Sequence, residues 1–201
     1  MRTVPEWLAE HAIRVPGQRH DDSGSVSLPS GVRLRRPKDL PACARLLRVV
    51  ATEHQYPARW PEAPRSWLAG PDVRTAWVAE VHGEILGHVA IATVPRNGIA
   101  RVRWRELTGR DTEELLRVSR LFVRRRVRGQ GVASSLLDVA VAEIRSQGLL
   151  PVLDVASTST DGIGFIEARG WRLLAVDPWG SKTEHQRIHY YAAPPAPSSA
   201  R

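Results

Sequence analysis

Valine, leucine and isoleucine recur along this sequence in two rhythms, and the order of those rhythms predicts an architecture. Residues 32–36, VRLRR, alternate apolar with basic, as in a strand with one covered face. After Pro37, the positions Leu40, Cys43, Leu47 and Val50 repeat at helical spacing. Pro57, Pro61 and Pro64 then mark a turn-rich stretch. Residues 75–81 and 85–94 read as a hairpin turning at His82, Gly83 and Glu84. Leu121, Phe122 and Val123 suit a strand, and Val132, Leu136, Leu137, Ala140 and Ile144 share one helix face. Residues 151–156 form a further strand, residues 161–169 a short helix stopped by Gly170, and residues 171–176 and 186–192 two closing strands. A front hairpin followed by a strand-helix-strand crossover predicts the α/β class, an α+β mixed sheet of seven strands flanked by helices in one domain. No internal repeat interrupts it.

The flanks differ from this body. Residues 16–31 are rich in Pro, Gly, Ser and Asp and predict a flexible connection after a short N-terminal helix. Residues 194–201, PPAPSSAR, predict a disordered tail. The expected division is therefore an extension over residues 1–30, a domain over 31–193 and the tail from 194.

Composition narrows the chemistry. A chain of 201 residues can bury one substantial core, and its 42% apolar content holds no run long enough to span a bilayer. The first residues carry Arg2, Glu6, Glu10 and His11 rather than an export signal, so the expectation is a cytoplasmic protein with no membrane partner. A single cysteine, Cys43, sits among helical apolar positions and reads as a core thiol. The seven histidines show no HExxH-like spacing, so no metal site is expected. The 29 Lys and Arg against 21 Asp and Glu leave a net charge of +8, which favours polyanions and nucleotides without naming one.

The positive charge has a focus. In RLFVRRRVRGQGVASSLL, residues 120–137, a strand joins a helix through an arginine-rich turn with Gly129 and Gly131 at the changeover. Glycines let backbone N–H groups approach a ligand, and a helix N-terminus favours phosphate oxygens. Two readings of the turn stand: a basic loop that merely ends a strand, or an anion site. The glycine spacing is incomplete for a dinucleotide-binding fingerprint, and a P-loop would need Lys-Ser/Thr at its end. No recognition helix or aromatic platform accompanies the arginines, so nucleic acid is not an expected partner.

Residues 126–131, RVRGQG, match the pattern Arg or Gln, two residues, Gly, one residue, Gly, and together with LDV and GFIEARGW downstream they resemble the GCN5-related N-acetyltransferase (GNAT) superfamily. The resemblance extends over residues 31–192. It implies acetyl-CoA as cofactor. Leu121, Phe122 and Val123 would line the pantetheine arm, and Arg126, Val127, Arg128, Gly129, Gln130, Gly131, Val132 and Ala133 would hold the pyrophosphate. Ser159 and Phe165 would border the cofactor from the later helix. Any single arginine of the turn could instead simply face water.

The resemblance also implies direct acetyl transfer to an amine, which needs a deprotonated nitrogen, its placement beside the thioester carbonyl, and stabilised oxygen charge. Ser119 would orient water or substrate. Glu114 is the preferred charged base, with Glu53 and Glu80 as alternatives. Where relatives carry a tyrosine near the leaving sulfur, this sequence has Ile166, which cannot donate a proton; Tyr190 and Tyr191 are possible substitutes. Residues 53–56, the loop 60–67 and the long connection around Trp104 would border the acceptor, although their tryptophans could equally fill the core. The favoured expectation is a small-molecule amine N-acetyltransferase, monomeric or homodimeric. A protein or peptide N-acetyltransferase and a non-catalytic acyl-CoA-binding protein are the alternatives.

Overall fold

A computed structural model describes residues 31–54, 56–95, 98–180 and 186–196. The expected N-terminal extension and most of the C-terminal tail lie outside the described residues. Within them, seven strands form one sheet: β1 (Val32–Leu34), β2 (Val73–Val81), β3 (Glu84–Thr93), β4 (Leu115–Val123), β5 (Leu150–Ala156), β6 (Arg172–Trp179) and β7 (Gln186–Ala192). Their order is β1-β2-β3-β4-β5-β7-β6, and every neighbouring pair is antiparallel except β4 with β5. The helices are α1 (Leu40–His54), α2 (Pro64–Leu68), α3 (Gly98–Thr108), α4 (Val132–Ser146) and α5 (Thr160–Ala168). None is long and apolar enough to cross a membrane.

Each sheet face is covered because each helix buries one stripe. Val132, Leu136, Leu137, Ala140 and Ile144 of α4 pack with Leu116 and Val118 of β4, Leu153 of β5 and Ile166 of α5. On the other face, Cys43, Leu46, Leu47 and Val50 of α1 pack with Val78, Ile85 and Phe122. Cys43 is fully buried there, and burial pushes its thiol up to about 11, so it is a packing residue. Strand alternation sends Leu116 to the α4 side and Arg117 to the α1 side.

Two expectations need correction. Residues 95–115 are not a structureless connection: they contain α3 and a 3-10 turn, Thr112–Glu114, and β4 already begins at Leu115. Trp104 of α3 is buried against Val94, Leu115, Val152 and Ala192, with Tyr190 edge-on to its ring at 5.0 Å. It anchors α3 to the sheet and so fills core. The proline-rich stretch likewise carries α2, whose Pro64 occupies the first turn, where no N–H is needed.

β4 is not regular. Opposite Val89 of β3 the register slips between His88, paired with Phe122, and Ala90, paired with Ser119, so that Arg120 and Leu121 face one residue. This is a β-bulge, and Arg120 adopts φ of 53°, which a non-glycine residue tolerates only when held. His88 Nδ1 donates to the Arg120 carbonyl at 2.9 Å, while Arg35 donates to His88 Nε2 at 3.0 Å. The Arg120 guanidinium binds Asp72 through both ends, at 3.0 and 3.1 Å, donates to the Trp67 carbonyl at 2.8 Å and lies 4.9 Å from the Trp67 ring centroid.

The His88 tautomer follows from these partners: one nitrogen donates, the other accepts, and the ring is neutral. Burial pushes the imidazole down from 6.5 to about 3, and the cationic Arg35 and Arg120 act in the same direction, against the Arg120 carbonyl. A depressed folded-state value means that the unfolded chain binds the proton first. Stability is therefore fully present above about pH 6.5 and falls, at most by about 1.4 kcal/mol per pH unit, as pH drops from there toward 3. Urea titrations from pH 7 to pH 5 should show this slope in the native sequence. His88→Asn, which can still donate to the Arg120 carbonyl, should start less stable and lose most of the slope; an unchanged slope would assign it to other groups.

Candidate active site

The parallel pair β4–β5 is hydrogen-bonded only at its beginning. Leu115, Leu116 and Arg117 face Leu150, Pro151 and Val152; beyond them the two strands part, and β5 continues beside β7 alone. The divergence leaves the far half of β4 with an unpaired edge. A cavity of about 720 Å³ opens along it. Leu121, Phe122 and Val123 line its strand side, Val50, Glu53, His54 and Tyr56 one wall, and Thr158, Ser159 and Phe165 the other.

Its far end is the glycine turn. Val127, Arg128, Gly129, Gly131, Val132 and Ala133 all line the cavity. Gly129 and Gly131 have φ of 75° and 79°, the left-handed region that glycine alone adopts freely. Gly131 caps α4, and the first helical bond runs from the Ser135 N–H to the Gly131 carbonyl. The N–H groups of residues 129–134 have no backbone acceptor among the described residues, so the turn presents a row of donors reinforced by the helix dipole. His54 Nε2 is a buried polar atom on the cavity wall with no hydrogen-bond partner among the described residues, 3.8 Å from the Glu53 carboxylate. Burial, then the positive charge of Arg128, holds this imidazole below its ordinary value. Unpaired donors converging on one end fit a pyrophosphate, and an apolar strand edge fits an extended acyl-carrying arm.

The arginines of the turn are less directed at the cavity than the backbone. Arg126 and Arg124 both pair with Glu84, and the Gln130 side chain donates back to the Arg126 carbonyl at 3.3 Å. Neither Arg126 nor Gln130 lines the cavity. Arg128 does, and it reaches Asp161 at the start of α5 at 2.6 Å, bridging the two walls.

Of the proposed catalytic groups, Glu53 lines the cavity. Ser119 lies on β4, four positions from the Val123 end, and its hydroxyl accepts a 3.4 Å hydrogen bond from Arg120. Glu114 is elsewhere: it is half-exposed at the opposite end of β4, accepts the Asp111 N–H at 3.0 Å and closes a turn. Glu80 pairs with Arg33 near the sheet edge. Ile166 is only 3% exposed and packs in the α4-side core, whereas its neighbour Phe165 borders the cavity. Tyr191 is buried and donates to Glu167 at 2.9 Å, with burial pushing its hydroxyl up to about 12; Tyr190 packs on Trp104.

Sequence reading missed a polar cluster beside the point where β4 and β5 part. Arg117 of β4 binds Asp154 of β5 at 3.0 Å across the gap and approaches Asp72 at 3.7 Å. The Tyr56 hydroxyl is electrostatically coupled to Arg120, Asp154 and Arg117, and burial raises it well above the usual phenol range. These residues come from four separate chain segments, so no local spacing marks them.

A bulged central strand parting from a parallel neighbour over a glycine turn is an acyltransferase arrangement. The chain belongs to the acetyltransferase (GNAT) family, whose model matches residues 42–171. No curated protein matches it. Among solved structures, it is similar to the ribosomal-protein-alanine N-acetyltransferase from Brucella melitensis, at 18% identity and a TM-score of 0.60, covering 80% of this chain and 97% of that one. It is similar to yncA from Salmonella typhimurium with its cofactor acetyl-CoA, at 18% identity and a TM-score of 0.59, covering 85% and 96% of the two chains. A protein provisionally named a phosphinothricin N-acetyltransferase matches at 18% identity and a TM-score of 0.58, covering 81% and 96%. At these identities the likeness is one of fold. The family uses acetyl-CoA, and the cavity suits it.

Calorimetry can weigh the turn against the strand edge. Acetyl-CoA should bind at least about tenfold more tightly than acetyl-pantetheine, which lacks the pyrophosphate, since several charge-assisted hydrogen bonds are lost together. Gly129→Val should weaken acetyl-CoA binding by a similar factor, because a β-branched residue is strained at φ of 75° and the turn must shift to relieve it, displacing the donor row. Arg125→Ala should matter less, since Arg125 does not line the cavity. Circular dichroism would confirm that the variants fold.

Proposed function

We propose that this chain transfers the acetyl group of acetyl-CoA directly to a primary amine of a small molecule. The observation that carries this reading is the continuity of one cavity from the donor row at residues 129–134 to the unpaired edge of β4. Acetyl-CoA supplies the thioester carbonyl carbon, to which the amine nitrogen bonds as the carbon–sulfur bond breaks. The chain's own residues supply positioning: the donor row fixes the phosphates, the strand edge aligns the arm, and Tyr56 bounds the acceptor end. Ser119 orients the amine or a water, and Glu53, which lines the cavity, is the proposed carboxylate that takes, through water, the proton shed by the nitrogen. A small acceptor is favoured because Tyr56 and the Arg117–Asp154 pair occupy the point where the strands part.

The departing thiolate takes its proton from solvent or a nearby hydroxyl, since Ile166 faces the core and Tyr191 is committed to Glu167. The same burial of Ile166 favours the second reading, an acyl-CoA-binding protein without turnover. A panel of amines with acetyl-CoA and mass detection of acetylated products separates the two. The rate should rise with pH through the acceptor's deprotonation range, and rapid-quench mass spectrometry should find no acetyl-enzyme. A kinetically competent acetylated Ser119 or Cys43 would overturn direct transfer. Ile166→Tyr should change turnover little and cost about 1–3 kcal/mol of stability, because the larger ring overfills a packed core. Thermal unfolding measures that cost.

A further inference from the structure

Arg117 and Asp154 stand on facing strands where β4 and β5 cease to pair, and neither is fully used. Asp154 engages Arg117 through Oδ1 at 3.0 Å; its second oxygen has no hydrogen bond among the described residues. Arg117 Nε is buried and has no hydrogen-bond partner among the described residues. Both side chains are partly open, at 21% and 24% exposure. Asp72 cannot complete the set, since both of its oxygens bind Arg120, leaving only a 3.7 Å approach to Arg117. The four charges, Arg117 and Arg120 against Asp72 and Asp154, balance.

We infer that this pair is the recognition site for a zwitterionic acceptor, a molecule carrying an amine and a carboxylate a few bonds apart, such as a free amino acid. The inference rests on the acetyl-transfer reading for its location and deepens it by naming the acceptor class. A zwitterion enters with one charge for each partner: its ammonium group takes the free oxygen of Asp154, and its carboxylate takes the exposed part of the Arg117 guanidinium. The cluster stays neutral. A simple amine brings only a cation, so it either competes with Arg117 for Asp154 or strands the guanidinium without a counter-charge. An amine in a peptide or protein side chain has the same defect. Asp154 and Arg117 thus determine which acceptor is held, and Ser119, two residues along β4 from Arg117, lies beside them.

The test compares, by calorimetry in the presence of CoA, each common L-α-amino acid with its carboxyl methyl ester and with the corresponding decarboxylated amine. At least one free amino acid should bind about tenfold or more tighter than its ester and its amine, as expected for loss of a charge-assisted pair. Arg117→Gln should abolish that preference: the amino acid loses the partner of its carboxylate and binds more weakly, while the ester, no longer competing with the guanidinium for Asp154, binds at least as tightly as before. Esters or amines that bind as tightly as the amino acids overturn the inference, and this comparison needs no variant. Equal weakening of amino acid and ester by Arg117→Gln also overturns it, with folding checked by circular dichroism. Mass detection of products keeps the two readings apart. Discriminating binding without acetylated product would leave the zwitterion site standing and remove acetyl transfer; transfer to amines and esters as readily as to amino acids would do the reverse.

Discussion

The hydrogen bond from His88 to the carbonyl of Arg120 is the interaction on which the arrangement of the cavity depends. It joins β3 to a residue that would otherwise not remain at positive φ, and so fixes the one extra residue in β4. A bulge bends its strand. The segment Leu121, Phe122 and Val123 beyond it leads away from β5 and toward the glycine turn, which gives the strand an open edge next to a helix N-terminus. The Arg120 side chain uses the same displacement to reach Asp72 and the Trp67 carbonyl, tying α2 and the start of β2 to the middle of the sheet. One backbone distortion therefore serves both halves of the proposed site: the cofactor edge on one side and the charged acceptor cluster on the other.

Much of this was legible in the sequence because it is local. The strand-turn-helix at the glycines is written in consecutive residues, and its apolar face, from Val132 to Ile144, repeats at helical spacing. The hairpin and the last strand could be read for the same reason. The 3-10 turn before β4 and α3 could not: Ile99 and Val102 are exposed, and α3 buries only Trp104, so no apolar stripe advertises the helix. Gly109, at φ of 67°, is the stop signal that could have marked its end.

The charged cluster was illegible for a different reason. Asp72, Arg117, Arg120 and Asp154 sit just ahead of β2, on β4 and on β5, and nothing in their separations records that they meet. The bulge is equally silent, since arginine has no preference for positive φ and the group that holds it is 32 residues away in the chain. Glu114 shows the converse. Its position just ahead of β4 suggests proximity to the reacting atoms, yet a nine-residue strand carries it to the opposite end from the cavity.

The carboxylates around the glycine turn have an ionic-strength consequence. Arg124 and Arg126 share Glu84, and Arg128 holds Asp161, so two carboxylates already offset half of the charge of the four arginines in residues 124–128. A polyanion that docks on backbone N–H groups, with these guanidinium groups still paired, displaces few counterions from the surface. Attraction between the cofactor and the turn then draws more on short-range, oriented dipoles than on diffuse charge. Such attraction survives salt that would screen a cluster of free arginines.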